Sequence, residues 1–259
     1  MTSSRLDPSR PPLVIAHRGA SGERPENTDV AYELAVEQHA DMIEIDLHLT
    51  RDDAIVIAHD AELEHLGRAG FIGDLSGREV AELDAGKGWE RTLSVPELGP
   101  VLDRFGRQIP FNLEVKRGEH IEYANLEELA LEAVRSRGLL ETTVFSSFFD
   151  RVLAALRGAE PAVRLATLVS PRAPDRAFER AGAVGSEAIN PHFFLATDEF
   201  VAEAHERGLA VYVYTVDDEN QMTELLDRGV DGLFTNWPAR MRALVDSPEG
   251  LARWGGPAD

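Results

Sequence analysis

Short apolar segments of strand type alternate with amphipathic segments of helix type along almost the whole chain. The predicted strands cover residues 13–16, 42–47, 55–59, 111–115, 143–146, 164–168, 188–191, 210–216 and 232–235. The predicted helices cover residues 29–39, 126–137, 150–159, 175–181, 198–207 and 219–228. Alternation of this kind with short connections favours parallel β-α units, in which the helices cover the sheet.

The number of units and the chain length favour a barrel. If segment 55–59 is a short extra strand beside the second, about eight units remain, and 259 residues suit a (β/α)8 TIM barrel. A doubly wound open sheet is the alternative, although no Gly-x-Gly-x-x-Gly motif follows the first strand. Residues 61–110 are rich in Gly and Asp and lack strong strands, which predicts a small insertion near the barrel mouth.

The ends of the chain and its net charge indicate the domain limits, the cellular location and the kinds of partner to expect. We expect a disordered N-terminal arm over residues 1–12, a barrel over 13–247 and a C-terminal tail over 248–259. The arm lacks the apolar core of a secretion signal, so we expect a cytoplasmic protein. The formal net charge of −20 argues against a nucleic-acid partner and stable membrane association. The chain has no cysteine, which excludes thiolate metal sites, and its oligomeric state stays open.

Carboxylates are spaced by two residues along the second predicted strand. Ile43 and Ile45 would pack under the helices, so Glu44 and Asp46 must point into the barrel. The same parity turns Glu114 of the next parallel strand inward. Buried carboxylates need a cation, and three of them form a plausible oxygen site for a divalent ion such as Mg²⁺ or Ca²⁺.

Basic residues lie at the same strand ends, where barrel enzymes place their chemistry. Arg18 follows the first strand, and Lys116 ends the strand that carries Glu114. Together with a metal they would form a cationic pocket suited to phosphate. His17 and His59 follow two strands and could act as base and acid. Base, acid, metal and phosphate-binding cations together indicate cleavage of a phosphodiester.

Four motifs resemble those of the glycerophosphodiester phosphodiesterase family. They are "AHRGASGERPENT", "DMIEIDLHLTRDDAIVIAHD", "NLEVK" and "GVDGLFTNWP", and in this order they extend the resemblance over residues 13–238. The resemblance implies a (β/α)8 barrel that uses a divalent metal ion. It also implies a small-molecule substrate, a glycerophosphodiester, that is hydrolysed to glycerol 3-phosphate and an alcohol.

The resemblance carries over residue by residue to the following positions: metal ligands Glu44, Asp46 and Glu114; catalytic histidines His17 and His59; phosphate-binding cations Arg18 and Lys116. Glu26 and Asn27 are expected to brace the His17 loop. Strand order favours His17 as the base and His59 as the acid. The attacking group is either water or the neighbouring glycerol hydroxyl, which would first give a cyclic phosphate.

The residues at the mouth depart from the family pattern. "ELEHLGRAG" follows His59-Asp60, Tyr214-Thr215 stands in place of a Trp-Thr pair, and Asn236 replaces a frequent aspartate. The possible substrate rim comprises Phe148, Tyr214 and Trp237, with Ser146, His192 and Phe193 as further candidates. The sequence therefore does not indicate which alcohol group the preferred substrate carries.

Two other functions remain as alternatives. One is a lysophospholipase D-type activity on lysophospholipids, and the other is a non-catalytic barrel that binds phosphorylated ligands. The second would be expected to lack part of the catalytic set, which is complete here. Of the remaining histidines, His48 is expected to support the site or pack. The others are expected at the surface: His39, His65, His120 and His205.

Overall fold

Nine strands form one sheet in a computed structural model that describes residues 10–86, 88–118 and 121–253. The strands are β1 (Leu13–His17), β2 (Met42–Leu49), β3 (Ile55–Ile57), β4 (Phe111–Val115), β5 (Val144–Ser147), β6 (Arg164–Val169), β7 (Ala188–Pro191), β8 (Ala210–Val213) and β9 (Gly232–Thr235). Their order is β1-β9-β8-β7-β6-β5-β4-β2-β3, and β1 also pairs with β2, which closes the sheet.

All pairs within the closed ring are parallel, whereas β3 pairs antiparallel with β2 outside it. This arrangement confirms the predicted (β/α)8 barrel and the extra strand beside the second one. It also excludes the alternative fold, a doubly wound open sheet, because an open sheet would have two unpaired edges.

Helices connect the strands on the outside of the barrel. They are α1 (Asp29–Glu37), α2 (Gly77–Ala81), α3 (Leu98–Phe105), α4 (Leu126–Arg135), α5 (Asp150–Ala159), α6 (Ala177–Val184), α7 (Asp198–Glu206), α8 (Glu219–Asp227), α9 (Pro238–Val245) and α10 (Pro248–Arg253). All six predicted helices are present, with small shifts at their ends. Across the described residues, no helix combines the length and the apolar character that a membrane span requires.

The barrel interior has an apolar floor beneath a polar upper layer. The floor contains Ile15, Met42, Val144, Ala166, Ala188, Ala210, Tyr212 and Phe234. Ile43, Ile45 and Leu47 face the other way and pack with the helices in a separate cluster. The predicted parity of β2 is therefore confirmed, and it leaves Glu44 and Asp46 inside the barrel with almost no solvent exposure.

The segment between β3 and β4 is only partly irregular. Short 3-10 turns at Glu64–Leu66 and Ile72–Asp74 and the helix α2 surround a small apolar cluster of their own. Helix α3, however, packs its apolar face into the main core, where the helix contacts β3 and α4. The irregular part thus ends before Leu98, earlier than the expected limit of residue 110. Gly99 and Pro100 hid this helix because they resemble a turn, although proline is tolerated in a first helical turn.

The predicted ends of the chain are only partly described. Residues 1–9 of the expected disordered arm lie outside the described residues, as do residues 254–259 of the expected tail. The described part of that tail forms α10. Only a tail was expected there, so this helix was not predicted from sequence.

Candidate active site

The strand register brings the predicted acidic residues together at the carboxyl ends of β1, β2 and β4. His17 pairs with Glu44 across β1 and β2, and Asp46 pairs with Glu114 across β2 and β4. Because these residues all face inward, their side chains meet above the apolar floor. Carboxylate oxygens of Glu44, Asp46 and Glu114 lie within 4.8 Å of one another.

Two cations partly balance these carboxylates. Lys116 Nζ lies 2.8 Å from Asp46 Oδ1 and 2.6 Å from Glu114 Oε1. Arg18 Nε lies 3.3 Å from Asp46 Oδ2, and Arg18 Nη1 donates to Glu26 Oε2 at 2.9 Å. Burial opposes ionisation of Asp46, but Lys116 and Arg18 outweigh it and hold the pKa of Asp46 below its usual value.

Glu44 is the carboxylate that the protein leaves least compensated. It is 3% exposed, its Oε2 accepts a hydrogen bond from the Arg18 backbone N–H at 3.1 Å, and its buried Oε1 has no hydrogen-bond partner among the described residues. Burial raises the pKa of Glu44 well above its usual value, and the charges of Asp46 and Glu114 raise it further. A crowded set of oxygen donors with one unpartnered oxygen suits a hard divalent cation.

His17 lies beside this cluster in a defined ring orientation. Its Nδ1 lies 2.7 Å from Asn236 Oδ1, and its Nε2 lies 4.0 Å from Glu44 Oε2. An amide oxygen can only accept, so the neutral imidazole carries its hydrogen on Nδ1. Burial lowers the pKa of His17 to about 4, and the positive charge of Arg18 acts in the same direction. At neutral pH the ring is therefore uncharged, with Nε2 free to accept a proton.

His59 reaches the same cavity from the loop after β3. Its side chain is 37% exposed, and Nδ1 lies 2.7 Å from Asp60 Oδ1. His48, which is buried inside the barrel, has Nε2 3.2 Å from the carbonyl oxygen of His59 and Nδ1 2.8 Å from the Tyr123 hydroxyl. The position of His48 thus agrees with a supporting role, because it holds the backbone of His59.

The loop between β1 and α1 bends sharply to return its polar side chains to the site. Arg18, Gly19 and Asn27 have positive φ angles of 58°, 81° and 54°. A Cβ atom on Gly19 would lie 2.7 Å from the backbone of Ala31, so only glycine fits. Asn27 Nδ2 donates to Asp46 Oδ2 at 2.9 Å. Asn27 therefore does more than brace the loop, since it contacts a member of the acidic cluster.

These groups open into one cavity of about 270 Å³ at the barrel mouth. It is lined by His17, Arg18, Glu44, His59, Glu114, Lys116, Ser146, Phe148, Leu168, His192, Tyr214, Thr215 and Phe234. Phe148 and Tyr214, two of the three rim candidates, are in this lining. Trp237 is not, because its ring packs against Gly22, where an added Cβ would lie 2.4 Å from Trp237 Cε2. Phe193 also lies outside the lining.

The four histidines expected at the surface divide into three cases. His39 and His65 are exposed, as expected, and His120 lies outside the described residues. His205 is partly buried, because Nε2 lies 2.9 Å from Asp231 Oδ2. This pair was not predicted from sequence, because the partners are 26 residues apart. The contacts of Ser21, Asp217 and Asn236 near His17 were not predicted either, although the inward parity of β9 could have pointed to Asn236.

Comparisons with known proteins agree with this arrangement. The model of the glycerophosphoryl diester phosphodiesterase family matches residues 17–240. A glycerophosphodiester phosphodiesterase from Bacillus subtilis (strain 168) is 32% identical over 250 residues, which cover 87% of this chain and 84% of the relative. A solved structure from Silicibacter pomeroyi DSS-3 is 26% identical, with a TM-score of 0.83 over 99% of both chains.

A third similar protein was solved with a bound product. The Oleispira antarctica phosphodiesterase in complex with sn-glycerol-3-phosphate is 28% identical, with a TM-score of 0.79 over 92% of this chain and 98% of that one.

Proposed function

The chain belongs to the glycerophosphoryl diester phosphodiesterase family and is a phosphodiesterase, and from this premise we propose that it hydrolyses small glycerophosphodiesters to glycerol 3-phosphate and an alcohol by metal-dependent acid-base catalysis. The convergence of Glu44, Asp46 and Glu114, two of which line the same cavity as His17, carries this proposal. The cavity is small, and its lining combines the cations Arg18 and Lys116 with the apolar side chains of Phe148, Leu168 and Phe234, which suits a small phosphorylated ligand. The Oleispira antarctica structure supports the substrate class, because its product is a glycerol phosphate.

A divalent ion, Mg²⁺ or Ca²⁺, would be held by Glu44, Asp46 and Glu114. Their donor set consists of oxygen atoms only, and Glu44 Oε1 is buried without a hydrogen-bond partner among the described residues. When bound, the ion would polarise a phosphoryl oxygen and offset the negative charge that develops in the transition state. We propose this site for the chain without a preference between the two metals.

The substrate phosphate would be bound by Arg18 and Lys116. Both cations line the cavity and remain charged, because the surrounding carboxylates raise the pKa of each above its usual value despite burial. Arg18 and Lys116 are tied to Asp46 through their Nε and Nζ atoms. These contacts fix both cations in place before substrate binds, so that less entropy is lost on binding.

The two histidines would move the protons. His17 accepts a proton at Nε2 from the attacking group, which is water or the neighbouring glycerol hydroxyl. Attack by the glycerol hydroxyl would first give a cyclic phosphate, which water would then open to glycerol 3-phosphate. His59 donates a proton to the oxygen of the departing alcohol. The neutral state of His17 suits it to the role of base, and the greater exposure of His59 supports its assignment as the acid that protonates the departing alcohol.

A coupled assay tests the proposal. The purified chain should release glycerol 3-phosphate from glycerophosphocholine or glycerophosphoethanolamine, and EDTA should abolish release until Mg²⁺ or Ca²⁺ is restored. Activity that survives complete chelation would contradict the metal site. Absence of glycerol 3-phosphate across a panel of diesters would contradict the substrate class.

One observation favours a second candidate function, a lysophospholipase D-type activity. Phe194 is 72% exposed, and it follows the cavity residue His192 by two positions. An exposed aromatic ring beside the mouth could contact an acyl chain. Choline release from lysophosphatidylcholine, compared with release from glycerophosphocholine, decides between the two. Only a higher kcat/KM for the lysophospholipid would favour the second function.

A further inference from the structure

Two hydrogen-bonded side chains stand behind His17, outside the central cavity. Asn236, the residue after β9, places its Oδ1 2.7 Å from His17 Nδ1. Asp217, in the loop after β8, places its Oδ2 2.6 Å from Asn236 Nδ2. Neither Asn236 nor Asp217 is among the residues that line the cavity. His17 is the cavity-lining residue to which this pair is hydrogen-bonded.

Asp217 determines which way the Asn236 amide faces. If the amide were reversed, its oxygen would lie against the Asp217 carboxylate, and two acceptors would face each other at 2.6 Å. The NH2 group would then face His17 Nδ1 and would force the ring hydrogen onto Nε2. In the observed orientation the hydrogen stays on Nδ1, and Nε2 keeps its lone pair near Glu44 Oε2.

The Asp217 carboxylate is itself held in place. Its Oδ1 accepts the backbone N–H of Asn236 at 2.8 Å and the hydroxyl of Thr235 at 3.2 Å. Arg240 Nη1 donates to the carbonyl oxygen of Asp217 at 2.6 Å. These contacts tie the loop after β8 to the end of β9, so the pair forms a fixed support for the imidazole.

Ser21 also contacts the Asn236 amide, and it can be compared with Asp217 as a group that could orient this amide. Its hydroxyl lies 2.8 Å from Asn236 Oδ1 and 2.7 Å from the carbonyl oxygen of His17. The single hydroxyl hydrogen can donate to only one of them at a time. A hydroxyl can also reorient to suit either amide orientation, whereas the carboxylate of Asp217 can only accept. Ser21 therefore cannot set the orientation, and Asp217 can.

We propose that Asn236 and Asp217 are positioning residues for the phosphodiesterase reaction. Asp217 orients the Asn236 amide, and Asn236 Oδ1 keeps the His17 hydrogen on Nδ1, so that Nε2 faces the substrate as the acceptor. The inference rests on the proposed role of His17 as the base. The neighbour of a histidine nitrogen commonly fixes the tautomer of the ring, and here a neutral amide does so with a carboxylate behind it.

Kinetics of single and double variants test the inference. In N236L the acceptor is lost, so kcat should fall about 10- to 100-fold while KM changes by less than about threefold, because the substrate does not touch Asn236. In N236D two carboxylates meet, and kcat should fall as well. In D217N/N236D an amide again faces a carboxylate, so kcat should recover to within about threefold of the parent. S21A is the matched control, with an expected change below about threefold.

A spectroscopic measurement gives a readout that does not depend on turnover. The ring nitrogen signals of His17, assigned by their absence in H17Q, should show Nδ1 protonated and Nε2 unprotonated in the full-length chain at neutral pH. In N236L the Nδ1–H signature should be lost or mixed with that of Nε2–H. In D217N/N236D the Nδ1–H signature should return.

The outcomes separate this inference from the proposed function. If H17A keeps normal turnover, the base assignment fails, whatever the tautomer measurement shows. If H17A is inactive but N236L keeps the parent kcat or the Nδ1–H signature, the positioning role is overturned and the base assignment stands. Should N236L fail to fold, the comparison of N236D with D217N/N236D decides, and a double variant no better than N236D overturns the inference.

Discussion

His17 shows how a single residue obtains its chemistry from its surroundings. Burial and the neighbouring Arg18 keep the ring uncharged at neutral pH, and Asn236 keeps its hydrogen on Nδ1. An isolated histidine would be partly protonated near neutral pH and would exchange its tautomers freely. The proton-accepting role proposed for His17 therefore depends on burial and on the contact with Asn236, which adjacent residues in the sequence do not provide.

The two histidines should be separately essential. We expect H17A and H59A each to lower kcat about 100- to 10,000-fold, the range that a positioned acid or base contributes. Circular dichroism and the melting temperature should remain close to those of the parent. H65A, at an exposed histidine that does not line the cavity, is the control. Turnover near the parent value in either site variant would discredit the acid-base assignment.

Gly19 should tolerate no side chain. A Cβ atom there would lie 2.7 Å from Ala31, and φ is +81°. We expect G19A to lower the free energy of unfolding by more than the roughly 1 kcal/mol that left-handed backbone costs an alanine, and to lower activity by displacing Arg18. G208A is the control, because Gly208 has φ +75° but open space around it. Equal losses in both variants, measured by urea unfolding, would exclude the close-approach argument.

At the scale of elements, the helices are placed by their caps and apolar faces. The side chain of Asp218 accepts the backbone N–H of Gln221 at the start of α8, and that of Thr197 accepts the backbone N–H of Phe200 at the start of α7. Gly208 follows α7 with a positive φ, as a helix stop requires. Signals of this kind are local, which explains why the later helices were predicted from sequence.

Removing a cap should weaken one element without affecting the site. We expect D218A to lower the free energy of unfolding by about 1 kcal/mol, because one backbone N–H at the start of α8 loses its acceptor. D218S should keep most of the stability, since serine caps as well. Chemical denaturation measures both values, and kcat should stay unchanged. A D218A variant as stable as the parent would show that the cap contributes nothing there.

Across the whole molecule, a single closed sheet assembles the site from residues far apart in sequence. Asp46 and Glu114 are paired neighbours in adjacent strands, and Asn236 contacts His17 across a separation of 219 residues. Closure of β1 onto β2 brings the two ends of the sheet together. The acidic cluster therefore exists only in the folded chain, so a cation that binds it should stabilise the fold.

Divalent metal should accordingly raise the melting temperature. A ligand that binds only the folded state at 100 times its Kd adds about 2.7 kcal/mol to the free energy of unfolding. We expect Mg²⁺ or Ca²⁺ to give such a shift in the parent chain and much less in E44Q. E128Q, at an exposed glutamate of α4, is the control and should shift like the parent. An unchanged metal titration in E44Q would reject Glu44 as a ligand.

The sequence predicted the fold class and most elements, and it missed α3 and the contacts behind His17. Helix α3 begins with Leu98-Gly99-Pro100, a local signal typical of a turn, yet its apolar face is buried in the main core, where the helix contacts β3 and α4. Tertiary burial outweighed local propensity there. Trp237 was expected at the rim from its position after a strand, but packing against Gly22 turned it away.

What the sequence determined by itself was periodicity: strands that alternate with helices, and inward parity for Glu44, Asp46 and Glu114. These follow from backbone geometry, which fixes where successive side chains point. Only the tertiary structure decided which oxygen of Glu44 has no hydrogen-bond partner among the described residues and which nitrogen of His17 carries the hydrogen. Both depend on distances between strands and loops that meet after the barrel closes, and no local pattern encodes such distances.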